Sequence, residues 1–207
     1  MVRDPYQKKR HFSRRTLDSS LVACYYHHFG HVQRVLDLGC GLGCMGRLKP
    51  DPEIQVYGLD ISSEAVAKAK EYENAQVWDL ETYSLPFSDE YFDAVLAKDI
   101  LEHLERPWLV VKEIYRVLRP SRIVIASVPM PKPKVVWDDY AHIRGFTRNA
   151  LKLIFEDSGF EVLHIKNMGG VPLAGKLRLV KWIPYVLKIP LLDLFWGRSF
   201  EIKARKL

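Results

Sequence analysis

Three alternating glycines follow a short apolar run and could bring backbone amides against a ligand. The segment VLDLGCGLG spans residues 35–43 and places Gly39, Gly41 and Gly43 two residues apart. Glycine permits close approach of the backbone, and the amino end of a following helix favours a negatively charged ligand group. The turn alone does not select a ligand, because residues 41–46 also fit the dinucleotide-binding pattern G-x-G-x-x-G.

Acidic residues near the turn distinguish between a dinucleotide and a cofactor that carries an amino acid. Asp37 precedes the glycines, where a carboxylate repels a pyrophosphate but attracts an ammonium group directly or through water. Asp60, at the end of the second apolar run, can accept hydrogen bonds from two ribose hydroxyls, and Asp79 can accept one from an adenine amino group. Together they favour a cofactor that carries an amino acid, although each acid alone also fits a solvated strand end or a helix cap.

Strand and helix patterns alternate along the chain and position these residues. Strands are predicted at residues 34–38, 54–60, 75–79, 92–97, 122–128, 160–165 and 200–204. Helices are predicted at residues 62–73, at 99–118 with a restart at Pro107, and from an N-cap at Thr147 to Asp157. This order predicts an α/β fold with a mainly parallel sheet covered on both faces.

The chain resembles the class I S-adenosylmethionine-dependent methyltransferases of the small-molecule, methyltransferase-11-like type over residues 34–128. The matching segments are VLDLGCGLG at 35–43, GLDIS at 58–62, LPF at 85–87, FDAV at 92–95, LEHL at 101–104 and EIYRVLRP at 113–120. The resemblance implies a Rossmann-like, seven-stranded, mostly parallel sheet with an antiparallel last strand. One departure is Ser121-Arg122, where the family usually has two glycines.

The resemblance also implies S-adenosyl-L-methionine as the cofactor and assigns its contacts. The implied residues are Asp37, Leu38, Gly39, Cys40, Gly41 and Gly43 for the methionine end, Asp60 and Ile61 for the ribose, Asp79 and Leu80 for the adenine, and Ala97, Lys98 and Asp99 for the floor near the transferred methyl group.

Methyl transfer from a sulfonium requires alignment of the acceptor and exclusion of water more than any particular side chain. A general base helps when the acceptor is a hydroxyl. His103 follows the fourth strand, while Tyr140, His142 and Arg144 lie in the loop after the fifth. Because ligands bind beyond the carboxyl ends of parallel strands, His103, His142 and Tyr140 are the catalytic candidates. The alternatives are a histidine that supports its helix and an ordinary surface loop.

Charge is spread unevenly over the 207 residues, whose net charge is +6. Residues 1–16 carry six basic residues and one acidic residue, and residues 166–207 carry nine basic and two acidic residues. Residues 17–165 between them carry sixteen basic and twenty-two acidic residues. The basic ends suit phosphate, anionic lipid or nucleic acid, or simply a solvated surface.

The cysteines and the hydropathy pattern predict a reduced, cytoplasmic protein. Cys24, Cys40 and Cys44 are odd in number and lack the spacing of a disulfide framework or a zinc site, so no metal is predicted. The beginning of the sequence has no apolar signal region, and no stretch of 18 residues is free of charge.

Three segments are expected. Residues 1–33 are predicted to form a helical lid, residues 34–168 with 198–207 the cofactor-binding domain, and residues 169–197 an apolar, basic insertion. The insertion combines Trp, Tyr and Leu with Lys and Arg, which suits peripheral contact with an anionic membrane through residues 171–196. A lid over the active site and a dimer surface are the alternatives.

The sequence therefore predicts a methyltransferase acting on a small or lipid-linked acceptor. An RNA-directed methyltransferase is an alternative that the basic ends favour. However, no RNA-binding motif is attached, and residues 97–100 read AKDI in place of an Asn/Asp-Pro-Pro-Tyr/Phe motif. A non-catalytic cofactor-binding protein and a nicotinamide-dependent reductase also remain open, as do the methylated atom and the oligomeric state.

Overall fold

A single seven-stranded sheet organises the computed structural model, which describes residues 18–82, 84–169 and 197–207. The strands are β1 (Arg34–Leu38), β2 (Gln55–Asp60), β3 (Asn74–Val77), β4 (Phe92–Lys98), β5 (Leu118–Pro129), β6 (Phe160–Met168) and β7 (Ser199–Lys206). The helices are α1 (Ser19–Phe29), α2 (Cys44–Arg47), α3 (Ser63–Ala69), α4 (Pro107–Val117), α5 (Pro133–Val136) and α6 (Arg148–Glu156), with a 3₁₀ turn at Leu101–His103.

The strands lie in the order β3-β2-β1-β4-β5-β7-β6. β1 through β5 pair in parallel, whereas β7 is antiparallel to both β5 and β6. The chain reverses its direction of winding between β1 and β4, and such a switch point opens a crevice at the carboxyl ends of the two strands. The predicted fold class is therefore confirmed, including the antiparallel last strand.

Neighbouring residues along each strand face opposite sides of the sheet. Each side of the sheet packs against its own layer of helices. Val35 packs with the buried face of α1, which includes Tyr25 and Phe29. Leu36 belongs to the other layer, which contains Ile114 of α4 and Phe155 of α6. Burial of large side chains on both faces fixes the strand register, because a slip of one residue would exchange the two faces.

Helix boundaries follow local signals in part. Thr147 caps α6 as predicted, since its Oγ1 accepts a hydrogen bond of 3.1 Å from the Ala150 amide. The helical pattern predicted over residues 99–118 is wrong in its first part, whereas the predicted restart at Pro107 is confirmed. A 3₁₀ turn ends at His103, and α4 begins only at Pro107, whose fixed φ suits a first helical turn.

β5 begins at Leu118, four residues before the predicted start. The pairing of β4 with β5 shifts register between Phe92 and Ala94, which accommodates the extra residues as a bulge. Ser121 lies in this bulge with a φ of 63°, in the left-handed region that glycine adopts most easily. This backbone conformation gives a physical reason for the two glycines that the family resemblance implies at this turn.

The predicted lid and insertion fall mainly outside the described residues. Residues 1–17 and 170–196 contain most of both segments, so the lid and the membrane contact stay predictions. Within the described chain, α1 packs into the core through Val22, Tyr25, Tyr26 and Phe29. Of the helices that the structure describes, none is long and apolar enough to cross a membrane.

Candidate active site

A cavity lies at the carboxyl ends of β1, β2 and β4, where the winding reverses. Eleven predicted site residues line it: Asp37, Gly39, Cys40, Gly41, Asp60, Ile61, Asp79, Leu80, Lys98, Asp99 and His103. Sequence reasoning missed eight others: Leu42, Cys44, Leu59, Trp78, Glu81, Ile100, Leu104 and Asp139. Leu38, Gly43 and Ala97 belong to the surrounding turn and strands but are not in the lining.

The glycine turn is held against β2 by its backbone. The amides of Gly39 and Cys40 donate to the Leu59 carbonyl oxygen at 2.8 and 3.1 Å. Gly39 and Gly41 have φ values of 73° and 54°, which L-residues with a side chain rarely adopt. A Cβ on Gly41 would meet no atom within 4 Å, so it would project into open space. The turn therefore leaves room beside its backbone for a ligand.

Asp60 is anchored from both sides of the crevice. Its Oδ2 accepts a hydrogen bond of 3.0 Å from the Gly41 amide, and its Oδ1 accepts one of 2.9 Å from the Ser62 amide. Burial raises the pKa of Asp60, while hydrogen bonds from the amides of Ser62, Gly41 and Ile61 oppose that shift. Each carboxylate oxygen has a second lone pair, so the fixed carboxylate can still accept hydrogen bonds from two hydroxyls.

Asp37 and Glu73 place two more carboxyl groups beneath the turn. Asp37 is buried, and its pKa is raised well above the ordinary value by burial and by the charges of Glu73 and Asp60, although Lys98 lowers it. Burial also raises the pKa of Glu73 to about 7. Glu73 is therefore partly protonated near neutrality, and both carboxyl groups become easier to ionise when a cation binds.

Sequence reasoning missed Glu73. Its Oε2 accepts a hydrogen bond from the Gly46 amide at 3.3 Å, and a Cβ on Gly58 would come within 2.3 Å of its Oε1. The residue lies at the end of a predicted helix, where an acid is ordinarily solvated. Only the packing of α3 against β2 and the turn directs this carboxyl group inward.

Trp78, Asp79 and Leu80 form the wall beyond β3. The Trp78 amide donates to the Asp60 carbonyl oxygen at 2.9 Å, which joins this wall to the end of β2. Asp79 accepts hydrogen bonds from the Glu81 amide at 2.9 Å and the Thr82 hydroxyl at 2.8 Å. An indole ring beside a fixed carboxylate is suited to hold a flat heterocycle with an exocyclic amino group.

Lys98 and Asp99 end β4 on the floor of the cavity. Asp99 has a φ of 50° and accepts a hydrogen bond of 2.9 Å from the Ser127 hydroxyl, while Lys98 forms an ion pair with it. A non-glycine residue in the left-handed region stores backbone strain that persists only where the surroundings impose it. The floor is thus rigid and charged, and Ala97 lies fully buried in β4.

The three catalytic candidates differ in position. His103 lines the cavity, and its ring centroid lies 4.6 Å from that of His142. His142 is buried and lines a second cavity beside the first, which also borders Lys98 and Asp99. Tyr140 is 73% exposed and lines neither cavity; its neighbour Asp139 is the lining residue from this loop.

The charge of the cavity selects among nucleotide cofactors. Within the described chain, its lining includes one lysine, Lys98, and six acids: Asp37, Asp60, Asp79, Glu81, Asp99 and Asp139. A dinucleotide would bring a doubly negative pyrophosphate into this field, whereas a sulfonium with an ammonium group would be attracted. The residues present therefore fit S-adenosyl-L-methionine and do not fit a dinucleotide.

The comparisons with known proteins agree with this geometry. Residues 36–126 match the family model described as a methyltransferase domain. The matched segment contains the glycine turn, Asp60, Asp79, Lys98 and Asp99. By this match residues 36–126 form a methyltransferase domain, and S-adenosyl-L-methionine is the cofactor that fits both this domain and the cavity.

Named relatives and solved structures are similar over most of the described fold. The chain is 29% identical over 157 residues to malonyl-[acyl-carrier protein] O-methyltransferase of Enterobacter lignolyticus, which covers 70% of this chain and 61% of that protein. It is 28% identical over 105 residues to ubiquinone biosynthesis O-methyltransferase of Haemophilus ducreyi, covering 46% of this chain and 44% of that protein. The chain thus spans less than two thirds of either relative.

A crystal structure of a SAM-dependent methyltransferase from Archaeoglobus fulgidus superimposes with a TM-score of 0.74 and 24% identity. The superposition covers 91% of this chain and 92% of the other. At this level of identity the likeness establishes the shared fold.

Proposed function

We propose that this chain transfers a methyl group from S-adenosyl-L-methionine to a small or lipid-linked acceptor by in-line displacement. The observation that carries the proposal is the acid-rich cavity at the switch point, whose lining unites Asp37, Asp60 and Asp79 from the ends of three strands. Such a cavity attracts a cationic nucleoside and repels the pyrophosphate of a nicotinamide cofactor.

The cofactor would lie along the ends of β1, β2 and β3. Asp37 and the amides of residues 39–41 would hold its amino-acid end, Asp60 the ribose hydroxyls, and Asp79 with the Leu80 amide the adenine. When bound, the cofactor supplies an electrophilic methyl group on a positively charged sulfur. The fixed backbone of Asp99 and its bond from Ser127 keep the floor from adjusting, which favours one orientation of the reacting groups.

His103 is the proposed general base for an acceptor hydroxyl. Its Nδ1 lies 3.1 Å from the Ala141 carbonyl oxygen, and a carbonyl can only accept a hydrogen bond, so Nδ1 carries the proton. In the neutral ring Nε2 then holds a lone pair and can take a proton from the acceptor. A buried ring, 8% exposed, keeps that exchange away from bulk water.

Two observations support the acceptor class. Both named relatives are O-methyltransferases, one acting on a malonyl group of a carrier protein and one in ubiquinone biosynthesis, which favours an oxygen acceptor here. Trp108, Trp137 and Ile143 are 45%, 57% and 46% exposed, and the last two flank Asp139 of the cavity wall in the loop after α5. Exposed aromatic and aliphatic side chains near the entrance suit an apolar acceptor.

Calorimetry followed by an acceptor screen tests the proposal. We expect S-adenosylhomocysteine to bind at one site per chain and NADH to show no heat of binding. The screen would then use isotopically labelled S-adenosyl-L-methionine with acyl-carrier-linked carboxylates and hydroxyquinones. Binding of NADH without binding of S-adenosylhomocysteine would contradict the cofactor assignment, and binding without any methyl transfer would favour a non-catalytic protein.

A further inference from the structure

Glu102, His103 and His142 form a buried cluster beside the cofactor cavity. Each offers one ligand atom, and the three atoms lie within 4.8 Å of one another. Glu102 Oε1 lies 3.9 Å from His103 Nε2 and 3.8 Å from His142 Nε2. Glu102 is fully buried, and the two histidines are 8% and 6% exposed. A carboxyl group and two imidazoles thus share one water-poor site.

Both imidazole rings are held in the same orientation. Nδ1 of His142 lies 2.5 Å from the Val136 carbonyl oxygen, as Nδ1 of His103 lies 3.1 Å from that of Ala141. Because carbonyl oxygens only accept hydrogen bonds, both Nδ1 atoms carry protons. In the neutral rings, therefore, both Nε2 atoms carry a lone pair, and they lie 3.9 and 3.8 Å from Oε1 of Glu102. A backbone carbonyl bound to Nδ1 is the usual outer partner of a metal-ligating histidine.

The fold brings the three residues together by clamping the loop after α5 over the 3₁₀ turn. The amides of Ile143 and Arg144 donate to the Glu102 carbonyl oxygen at 3.0 and 3.3 Å. This pairing sets His142 opposite His103, although α4 and β5 separate the two residues in the chain. The sequence had no ligand spacing to indicate the cluster, because two of its ligands adjoin and the third arrives from a distant loop.

From this geometry we infer that Glu102, His103 and His142 bind one divalent transition-metal ion. Two imidazole nitrogens with one carboxylate oxygen are ligands of Zn²⁺ and of neighbouring first-row metals. In a tetrahedral zinc site, ligand atoms lie about 3.4 Å apart. The two observed separations from Glu102 Oε1 are 3.9 and 3.8 Å, and all three ligand atoms lie within 4.8 Å of one another, so the side chains must draw closer together to hold the ion.

The position of the cluster gives the ion access to solvent and to the reaction cavity. His103 lines the cofactor cavity, Glu102 and His142 line the second cavity, and Lys98 and Asp99 border both. A three-residue site leaves a fourth position for water or substrate. This step rests on the proposed function: the acceptor oxygen takes the fourth coordination position of the ion. The ion would lower the pKa of that oxygen and replace His103 as the group that promotes its deprotonation.

Metal titration of the full, untagged chain tests the site without any need for activity. We expect Zn²⁺ to bind at one ion per chain, and Co²⁺ to bind there with visible ligand-field absorption of a four- or five-coordinate site. Glu102→Gln and His142→Gln should each weaken binding by at least about tenfold. The matched control is His164→Gln, which removes a histidine that makes an edge-to-face contact with His28 away from the cluster and should leave the titration unchanged.

A second measurement on the wild-type chain guards against variants that fail to fold. Nitrogen-15 resonances of His103 and His142 should show Zn²⁺ bound at Nε2 with Nδ1 protonated. Absence of a stoichiometric site, binding that survives both cluster variants, or resonances showing only a proton shared between Nε2 and Glu102 would overturn the inference. Binding of S-adenosylhomocysteine to metal-free protein tests the cofactor assignment separately from the metal site. A metal bound at Nε2 of His103 would leave that assignment intact but would confine the role of His103 as a base to the metal-free protein.

Discussion

The amide of Gly41 donates a hydrogen bond of 3.0 Å to Oδ2 of Asp60. This bond joins the glycine turn after β1 to the end of β2, and the Ser62 amide holds the other carboxylate oxygen at 2.9 Å. The turn and the acid therefore form one unit: the same carboxylate that shapes the turn faces the ligand space.

Asp60→Asn is expected to weaken binding of S-adenosylhomocysteine by about 10–100-fold, because the amide keeps the volume but loses one acceptor oxygen and the charge. Isothermal titration calorimetry measures this effect, and thermal unfolding checks the fold. Asp51→Asn is the matched control. Oδ1 of Asp51 also accepts a hydrogen bond from a backbone amide two residues further along the chain, that of Glu53 at 2.9 Å, but Asp51 lies on the exposed surface. Equal losses in both variants would contradict a ligand contact for Asp60.

Gly41→Ala should reduce cofactor affinity far more than Gly30→Ala. Both glycines have positive φ, 54° and 73°, and a Cβ on either meets no atom within 4 Å. Each substitution places a Cβ on a backbone of positive φ, with a ψ of −144° at Gly30, and costs about 1–3 kcal/mol of backbone strain. Only the Cβ of Gly41 would enter the cavity, whereas Gly30 ends α1. Both variants should lose stability, and calorimetry should separate their affinities for the cofactor. Unchanged affinity in Gly41→Ala would contradict the placement of the ligand at this turn.

Local signals in the sequence determined much of the fold and most of the cavity. Short stretches of sequence are enough to predict the alternation of strands and helices, the cap at Thr147 and the acids at the strand ends. The left-handed backbone at Asp99 and Ser121 carries no such signal, because neither residue is a glycine. Glu73 and Glu102 also escaped prediction, since their burial depends on contacts between segments distant in the chain.

Glu73→Gln is expected to flatten the pH dependence of stability. The pKa of Glu73 rises from 4.5 to about 7 in the folded chain because its carboxyl group is buried. Between these values the folded state binds more protons than the unfolded state, so the stability contributed by the neutral acid is complete below pH 4.5 and is lost as pH rises through about 7. The slope is at most about 1.4 kcal/mol per pH unit.

Chemical denaturation from about pH 5 to pH 8 measures this slope in the variant and the wild type. Glu71→Gln provides the control at an exposed position on the same segment. Identical slopes for Glu73→Gln and the wild type would contradict the raised pKa.

Asp93→Asn should destabilise the fold by about 2–3 kcal/mol without weakening cofactor binding. Burial alone would raise the pKa of Asp93, but hydrogen bonds from the amides of Arg34 and Gln33 and from Arg119 lower it below the ordinary value. The Arg119 contact is 2.7 Å, and Asp93 begins β4 at the end opposite the cavity. An amide there would set an N–H group against a guanidinium.

Asp89→Asn is the control for Asp93. It removes a carboxylate that contacts Arg116 at 2.8 Å but is 75% exposed, and such surface pairs contribute at most about 1 kcal/mol. Urea unfolding should therefore separate the two variants, and equal stabilities would contradict the structural role of Asp93.

His103→Gln should lower kcat by about 100- to 10,000-fold while binding of S-adenosylhomocysteine stays within about twofold of the wild type. The glutamine can still donate to the Ala141 carbonyl oxygen, but its amide cannot take a proton at neutral pH. The rate should also lose the rise with pH that reports ionisation of a base, because the remaining reaction no longer depends on a neutral imidazole. Steady-state kinetics across pH, measured with an acceptor from the screen, test both expectations.

His142→Ala extends this test to the neighbouring ring. Its Nε2 lies 3.8 Å from the same carboxylate oxygen of Glu102, so its removal should disturb the orientation of His103 and lower kcat, though less than His103→Gln does. The pH profile should keep its rising limb, because His103 is still present to ionise. If His142→Ala binds cofactor normally and turns over at the wild-type rate, the loop histidine has no part in the reaction, and His103 holds its orientation through the Ala141 carbonyl oxygen alone.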